Sequence, residues 1–143
     1  MKIRLLFILG ALIISHGGNA HNSDKKLGTQ VKHLAKSSQS WDGTPLPNYL
    51  GGKPEITILN IKIPPGTRLP LHRHPVINAG YLIKGELTVV KEDGKKRLKM
   101  KAGDTLIELV NQWHYGKNEG KTTAEIVVFY AGSSGQEITV KKK

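Results

Sequence analysis

Between Glu55 and Val140, the apolar residues fall into short runs that glycine and proline interrupt every few positions. The first run, Ile56–Ile63, alternates and is rich in β-branched residues, and it stops at Pro64-Pro65-Gly66. Further runs cover residues 78–83, 87–91, 95–100, 105–110, 124–130 and 137–140. No stretch repeats with the 3.6-residue period of an amphipathic helix. The pattern predicts an all-β sandwich or barrel built from short strands.

Two neighbouring runs predict a hairpin with a defined register. Leu87–Lys91 and Lys95–Met100 flank Asp93-Gly94, a favoured pair for a two-residue type I′ turn. This turn pairs Leu87 with Met100 and leaves one face of the hairpin wholly apolar. A slip of one residue would mix apolar and polar side chains on both faces, so the register is well determined.

The first twenty residues have the features of a secretory signal peptide. Lys2 and Arg4 precede the apolar run Leu5–Ile14, and Ala20 ends a stretch of small residues suited to cleavage. The apolar run is shorter than the ~20 residues that a membrane-spanning helix needs. We therefore predict cleavage after Ala20 and a periplasmic or secreted protein without a transmembrane segment.

Residues 21–50 are interpreted as an N-terminal arm followed by a connector. The arm is polar, and its segment Thr29–Lys36 is predicted to form an edge strand. The connector Trp41–Pro47 contains glycine and proline, which keep it out of a helix. After cleavage, His21 would carry the free amino terminus, where an amine and an imidazole can chelate copper. His33 is expected to be an ordinary surface or strand residue.

The formal net charge of +11 first suggests an anionic polymer as a partner. The lysines, however, lie in the arm, on the predicted hairpin and in the tail Lys141-Lys142-Lys143. No zinc finger, recognition helix or RNA-binding aromatic motif accompanies them. We therefore expect no nucleic-acid partner, and attraction to anionic cell-envelope polymers is kept as an alternative. The chain has no cysteine, which excludes disulfides and thiolate metal sites.

Three histidines form the candidate site. His72 and His74 are two positions apart, so in a strand both imidazoles lie on the same face. His114 follows a later predicted strand, and an antiparallel barrel can bring it close to the pair. Imidazole nitrogens are common ligands of divalent metals. The alternative is that the three side chains only fill a pocket.

The spacing around these histidines resembles the two motifs of the cupin superfamily. The first motif is matched by Gly66, His72, His74, Asn78 and Gly85, and the second by Gly103, Asp104, His114 and Asn118. Three positions depart from the family pattern. Asn78 replaces a glutamate, Leu109 replaces a proline and Asn111 replaces a glycine. The resemblance is strongest to small single-domain type-2 cupins.

The resemblance implies a double-stranded β-helix, or jelly-roll barrel, over residues 51–143. It also implies a divalent metal held by His72, His74 and His114, with Asn78 at the position of the family's carboxylate ligand. Three neutral imidazoles and an amide leave a divalent ion with a net charge of +2, which favours an anionic ligand. The ion would be Fe, Zn, Mn, Ni or Cu.

The three-histidine set also resembles the sites of thiol and diketone dioxygenases among the cupins. The resemblance therefore implies an oxygenase-type or other metal-dependent enzyme that acts on a small anionic substrate. The alternative is a non-catalytic cupin of the cell envelope that binds a small ligand or the metal. No catalytic residue can be named from the sequence. Glu108 is expected to face outward, because Thr105, Ile107 and Leu109 look like the inward set.

The remaining predictions concern packing. Trp113 and Tyr115 are expected either at the pocket mouth or in ordinary aromatic packing. Tyr81 is expected on the face opposite Asn78, and Asn118 in a turn. Apolar residues occupy both faces of the first strand, with Ile56 and Ile58 opposite the inward set. A buried outer face of this kind predicts a homodimer.

Overall fold

The computed structural model describes residues 28–49 and 51–143. Residues 28–31 belong to one compact unit of the chain and residues 32–143 to another. Residues 28–31 are exposed and have no regular secondary structure. The predicted signal peptide and His21 lie outside the described residues, and the predicted boundaries at residues 20 and 50 stay predictions.

Two antiparallel sheets make up the second unit, and its described residues contain no helix. Nine strands are present: β1 (Pro54–Ile63), β2 (His72–Arg73), β3 (Ile77–Lys84), β4 (Glu86–Lys91), β5 (Arg97–Lys101), β6 (Thr105–Ile107), β7 (His114–Lys117), β8 (Ala124–Ser133) and β9 (Val140–Lys141). One sheet has the order β1-β8-β3-β6 and the other β5-β4-β7-β2-β9. This arrangement confirms the predicted all-β, double-stranded β-helix fold.

The hydrophobic core contains residues from both sheets. β1 alternates, so that Ile61 and Ile63 face the core while Ile56 and Ile58 face outward. β8 supplies Ala124, Ile126, Val128 and Tyr130 with the same alternation. Burying large aliphatic side chains contributes about 1.5–3 kcal/mol each, which suits a chain that has no disulfide.

No helix in the described part of the chain is long and apolar enough to cross a membrane.

The β4–β5 hairpin confirms the predicted register. Leu87 pairs with Met100 and Val89 with Leu98. The predicted type I′ turn is wrong, because that turn needs a positive φ at both central residues and Asp93 does not have one. Gly94 alone has a positive φ, of 69°, and its N–H donates to the carbonyl of Lys91. The connection is therefore a wider loop that keeps the same pairing.

Three predictions about strands are wrong. Of the run 137–140, only Val140 lies in a strand, β9. The segment Thr29–Lys36 is exposed and forms no strand. β6 ends at Ile107, before the predicted end at Val110, because Val110 instead makes an isolated parallel bridge with His74. The sequence pattern did not predict the short strands β2 and β7, which carry His72 and His114.

Candidate metal centre

The structure brings together the three histidines that the sequence singled out. His72 in β2 pairs directly with His114 in β7, and His74 follows β2 at its bridge to Val110. One ring nitrogen from each histidine lies within 4.8 Å of the others. The ring centroids are 4.6 to 5.1 Å apart. Imidazoles this close, from separate segments, are arranged as a ligand set.

Each imidazole is held in place through its Nδ1 atom. His72 Nδ1 donates to the carbonyl of Pro70 at 2.7 Å, His74 Nδ1 to Ile138 at 2.8 Å, and His114 Nδ1 to Gln112 at 2.8 Å. A carbonyl oxygen can only accept, so the hydrogen lies on Nδ1 and the lone pair on Nε2. Bonds of this kind fix the ring and the tautomer of metal-binding histidines. All three Nε2 atoms are therefore prepared to act as ligands.

The electrostatics of the cluster keep the imidazoles neutral. Burial lowers the pKa of all three histidines, and that of His74 falls to about 4. The side chain of His114 is 1% exposed, and its Nε2 is buried without a hydrogen-bond partner. A buried polar atom left without a partner normally costs about 1–3 kcal/mol. A divalent metal ion at the cluster would satisfy this atom, so the residues fit such an ion.

Asn78 lies beside the cluster and does not hold a charge. Its side chain is buried and lines the same cavity as the histidines. The Nδ2 group donates to the carbonyl of Val76 at 3.3 Å. The amide oxygen is thereby left as the only atom of this side chain that can act as a ligand.

Glu108 lies inside the cavity, so the expectation that it faces outward is wrong. The residue is 7% exposed, and Oε2 is 3.6 Å from His114 Nε2. The inward residues of this segment are Leu106 and Glu108, because β6 is shifted by one residue from the predicted phase. The expectation that the site has no nearby carboxylate is wrong for the same reason. The sequence signal was the polar Thr105, which fits an outward position better than an inward one.

A cavity of about 260 Å³ opens at the cluster. Most of its wall is aliphatic and comes from both sheets, including Leu59, Ile61 and Val128. The polar side chains at the lining, besides those described above, are Tyr130, Thr139 and Lys141. The Tyr130 ring lies 5.4 Å from the His74 ring, and burial raises the pKa of its hydroxyl.

Four other predicted placements can be compared with the structure. Tyr81 is 40% exposed and points away from Asn78, as predicted. Asn118 bridges a turn as predicted, donating to Ile63 and Thr122 and accepting from Gly120 N–H. Trp113 and Tyr115 do not line the cavity, so of the two alternatives the position at the pocket mouth is wrong. Alternation along β7 turns them to the opposite face, where arginine side chains lie over their rings.

The backbone supports the placement of the motifs. Asn111 has a φ of 55° and is the one non-glycine residue in the described ranges with a positive φ. It stands where the cupin motif has a glycine, and asparagine tolerates this conformation better than most residues. Gly85 has a φ of 77°, and an added Cβ would meet the Thr123 carbonyl at 2.8 Å. Both positions therefore keep the turn geometry that the motif requires.

The chain matches the family described as Cupin domain over residues 59–130, about half of its length. It is 30% identical over 136 residues to oxalate oxidase GF-3.8 of Triticum aestivum, covering 90% of this chain and 57% of the wheat protein. The chain thus spans little more than half of that relative.

Solved structures with a similar fold include two bacterial proteins. An uncharacterized Klebsiella pneumoniae protein with a double-stranded β-helix domain matches with a TM-score of 0.54 and 16% identity, over 81% of this chain and 99% of its own. The Mn(II)-containing oxalate decarboxylase of Bacillus subtilis matches with a TM-score of 0.51 and 24% identity, over 60% and 23%. The motif spacing, the fold and the family match lead to one conclusion: this chain belongs to the cupin family.

Proposed function

We propose that this protein is an exported cupin that binds one divalent metal ion through His72, His74 and His114. We further propose that it acts as an oxygenase-type or other metal-dependent enzyme on a small anionic substrate. The observation that carries the proposal is the convergence of three Nε2 atoms whose partner Nδ1 atoms are all tied to backbone carbonyls. A bound metal would supply Lewis acidity or oxygen chemistry at this point.

The cavity supports the substrate class. Its aliphatic wall would bind a short apolar body and exclude water, while the histidine end would receive an oxygen-bearing group. Lys141 adds a cation to the lining and favours a negative charge there. The wheat oxalate oxidase and the Bacillus subtilis oxalate decarboxylase act on oxalate, a small dianion. We therefore propose a small carboxylate or a similar oxyanion as the ligand.

The ion is proposed to be Fe, Zn, Mn, Ni or Cu. Imidazole ligands suit Zn, Cu, Fe and Ni, whereas a carboxylate in the set would also suit Mn. The Mn(II) centres of the Bacillus subtilis relative support manganese as one of the metals to test first.

Metal binding can be tested on protein stripped of metal and titrated with single metals by calorimetry. We expect one equivalent per chain, and a loss of affinity of at least about 100-fold in His72→Ala and in His114→Ala. His33→Ala is the matched control, because this histidine is exposed and outside the cluster. Binding that is absent in the wild type, or equal in all four proteins, would contradict the proposal.

The same loaded protein separates an enzyme from a binding protein. We expect oxygen uptake or product formation with at least one member of a panel of thiols, diketones and short carboxylates, and none in His114→Ala. Stoichiometric metal with no turnover across the panel would instead favour the non-catalytic alternative.

Export is proposed from the first twenty residues, and it is tested by expressing the full chain in a bacterium. We expect the protein in the periplasm or medium, with His21 as its amino-terminal residue. Leu9→Arg interrupts the apolar run and should leave the chain in the cytoplasm with its first residues intact. Cytoplasmic wild-type protein that begins at Met1 would contradict export.

A further inference from the structure

The two oxygens of the buried Glu108 carboxylate have different surroundings. Oε1 accepts from Trp41 Nε1 at 3.0 Å and from the Leu109 N–H at 2.9 Å. Among the described residues Oε2 has no hydrogen-bond partner, and it lies 3.6 Å from His114 Nε2. Two ligands of one zinc ion, each at about 2.0–2.2 Å and at a tetrahedral angle, stand about 3.4 Å apart. The separation of the two atoms is therefore close to that of ligands of a shared ion.

The buried Glu108 carboxylate has no lysine or arginine within ion-pair distance among the described residues, although Lys141 also lines the cavity. Burying an ionised carboxylate without a cation costs several kcal/mol. A divalent ion at the cluster would supply the missing positive charge.

Glu108 is also the cross-strand neighbour of Asn78. The β3–β6 register pairs Ala79 with Ile107, and the Glu108 N–H donates to the Asn78 carbonyl at 3.0 Å. The two side chains therefore enter the same cavity from adjacent strands. Opposite side chains on neighbouring strands have Cβ atoms about 4.5–5.5 Å apart. The side chains at these two positions are therefore near neighbours in the cavity.

The N-terminal arm holds Glu108 in this orientation. Ser40 Oγ donates to the Glu108 carbonyl at 2.8 Å, and the Trp41 N–H donates to the Ile107 carbonyl at 2.9 Å. Together with the indole bond to Oε1, these contacts fix both the backbone and the carboxylate. The free oxygen is thus aimed at the histidines by a segment outside the barrel strands.

We propose that Glu108, the residue directly after β6, is the fourth protein ligand of the metal and supplies the carboxylate that Asn78 does not supply from β3. The inference rests on the proposed function, since it requires a metal at the three histidines. It assigns this chain a three-histidine, one-carboxylate site with a net charge of +1 on a divalent ion.

The test is calorimetric metal titration and Co(II) absorption spectroscopy of the full chain and of Glu108→Gln. We expect the affinity for Mn(II) and Co(II) to fall at least about 10-fold, because losing a ligand should cost no less than losing a partner of a ligand. The Co(II) ligand-field bands should also shift. Glu55→Gln, on an exposed glutamate of β1, should match the wild type in both measurements. The double variant Asn78→Glu/Glu108→Gln should recover most of the lost affinity.

Three outcomes would overturn the inference. Wild-type affinity in Glu108→Gln would show that the carboxylate does not contribute. Weakened binding with unchanged Co(II) bands would show that Glu108 acts from outside the ligand set. If Glu108→Gln fails to fold, Glu108→Asp keeps the charge but withdraws the oxygen, and wild-type affinity in that variant would also refute ligation. Absence of metal from the wild type would instead refute the proposed function itself.

Discussion

Asp42 connects the N-terminal arm to the β4–β5 hairpin. Its Oδ2 accepts from Lys91 Nζ at 2.7 Å and its Oδ1 from the Thr44 N–H at 2.9 Å. The Asp42 side chain is 1% exposed. Burial alone would raise its pKa, but the bonds from Lys91 and Thr44 outweigh it and lower the pKa to about 2. The preceding residue, Trp41, donates a hydrogen bond to Glu108. The ion pair between Asp42 and Lys91 therefore stabilises the segment that orients the Glu108 carboxylate.

The lowered pKa gives a prediction for stability against pH. Because the folded pKa of about 2 is below the reference value of 3.8, the ionised form stabilises the fold above about pH 4. Asp42→Asn should therefore lower the free energy of unfolding by about 1 kcal/mol at pH 7, a discounted value because Lys91 is partly exposed. The difference from the wild type should shrink as the pH falls from 4 to 2.

Urea unfolding at a series of pH values measures this difference. Asp93→Asn is the control, because this aspartate is exposed at the hairpin loop and makes only a local bond to the Lys95 N–H. A stability difference between wild type and Asp42→Asn that does not change with pH would contradict the role given to the ion pair.

Glu108 shows what the sequence could not provide at the residue scale. In the segment Thr105–Val110, apolar residues occur at both odd and even positions, so hydrophobicity fits two opposite phases. The phase is decided by pairing with β3, a contact between residues far apart in the chain. The histidines were easier to predict, because their positions follow from motif spacing alone.

At the scale of elements, the strand register of the β4–β5 hairpin was predicted correctly, whereas the irregular segments were not. The β4–β5 register followed from local alternation, which is read directly from the sequence. The arm was predicted as an edge strand over Thr29–Lys36, whereas its described residues form an isolated bridge between Gln39 and Pro45 instead. The turn between these two residues depends on hydrogen bonds to β6 and on the pair between Asp42 and Lys91. Tertiary contacts of this kind leave no periodic signal.

At the scale of the whole molecule, the outer face of the β1-β8-β3 sheet is unusually apolar. Ile58 and Phe129 are direct cross-strand partners and are 64% and 43% exposed. Ile56 and Tyr81 extend the same face at 52% and 40% exposure. Contiguous exposed apolar surface often marks a protein interface. We propose that two copies of the chain pair through this face to form a homodimer.

Sedimentation at several concentrations tests the dimer. Ile58→Lys places a charge in the centre of the apolar face and should convert the dimer to a monomer, with dissociation at least about 100-fold more favourable. Tyr49→Lys is the control, since Tyr49 is 82% exposed but is not part of this sheet. A wild-type monomer at high concentration would remove the proposal.

The backbone hydrogen bonds of the three imidazoles also bear on whether a metal would bind before or after the barrel folds. His72 and His114 meet only when β2 pairs with β7, a contact between distant parts of the chain that forms slowly. The carbonyls of Pro70, Gln112 and Ile138 then hold the rings without help from an ion. A metal bound as proposed would therefore enter a site whose imidazole rings are already oriented. If a metal binds as proposed, we expect it to exchange without unfolding the barrel, so the ion recovered with the protein should depend on the metals supplied during expression.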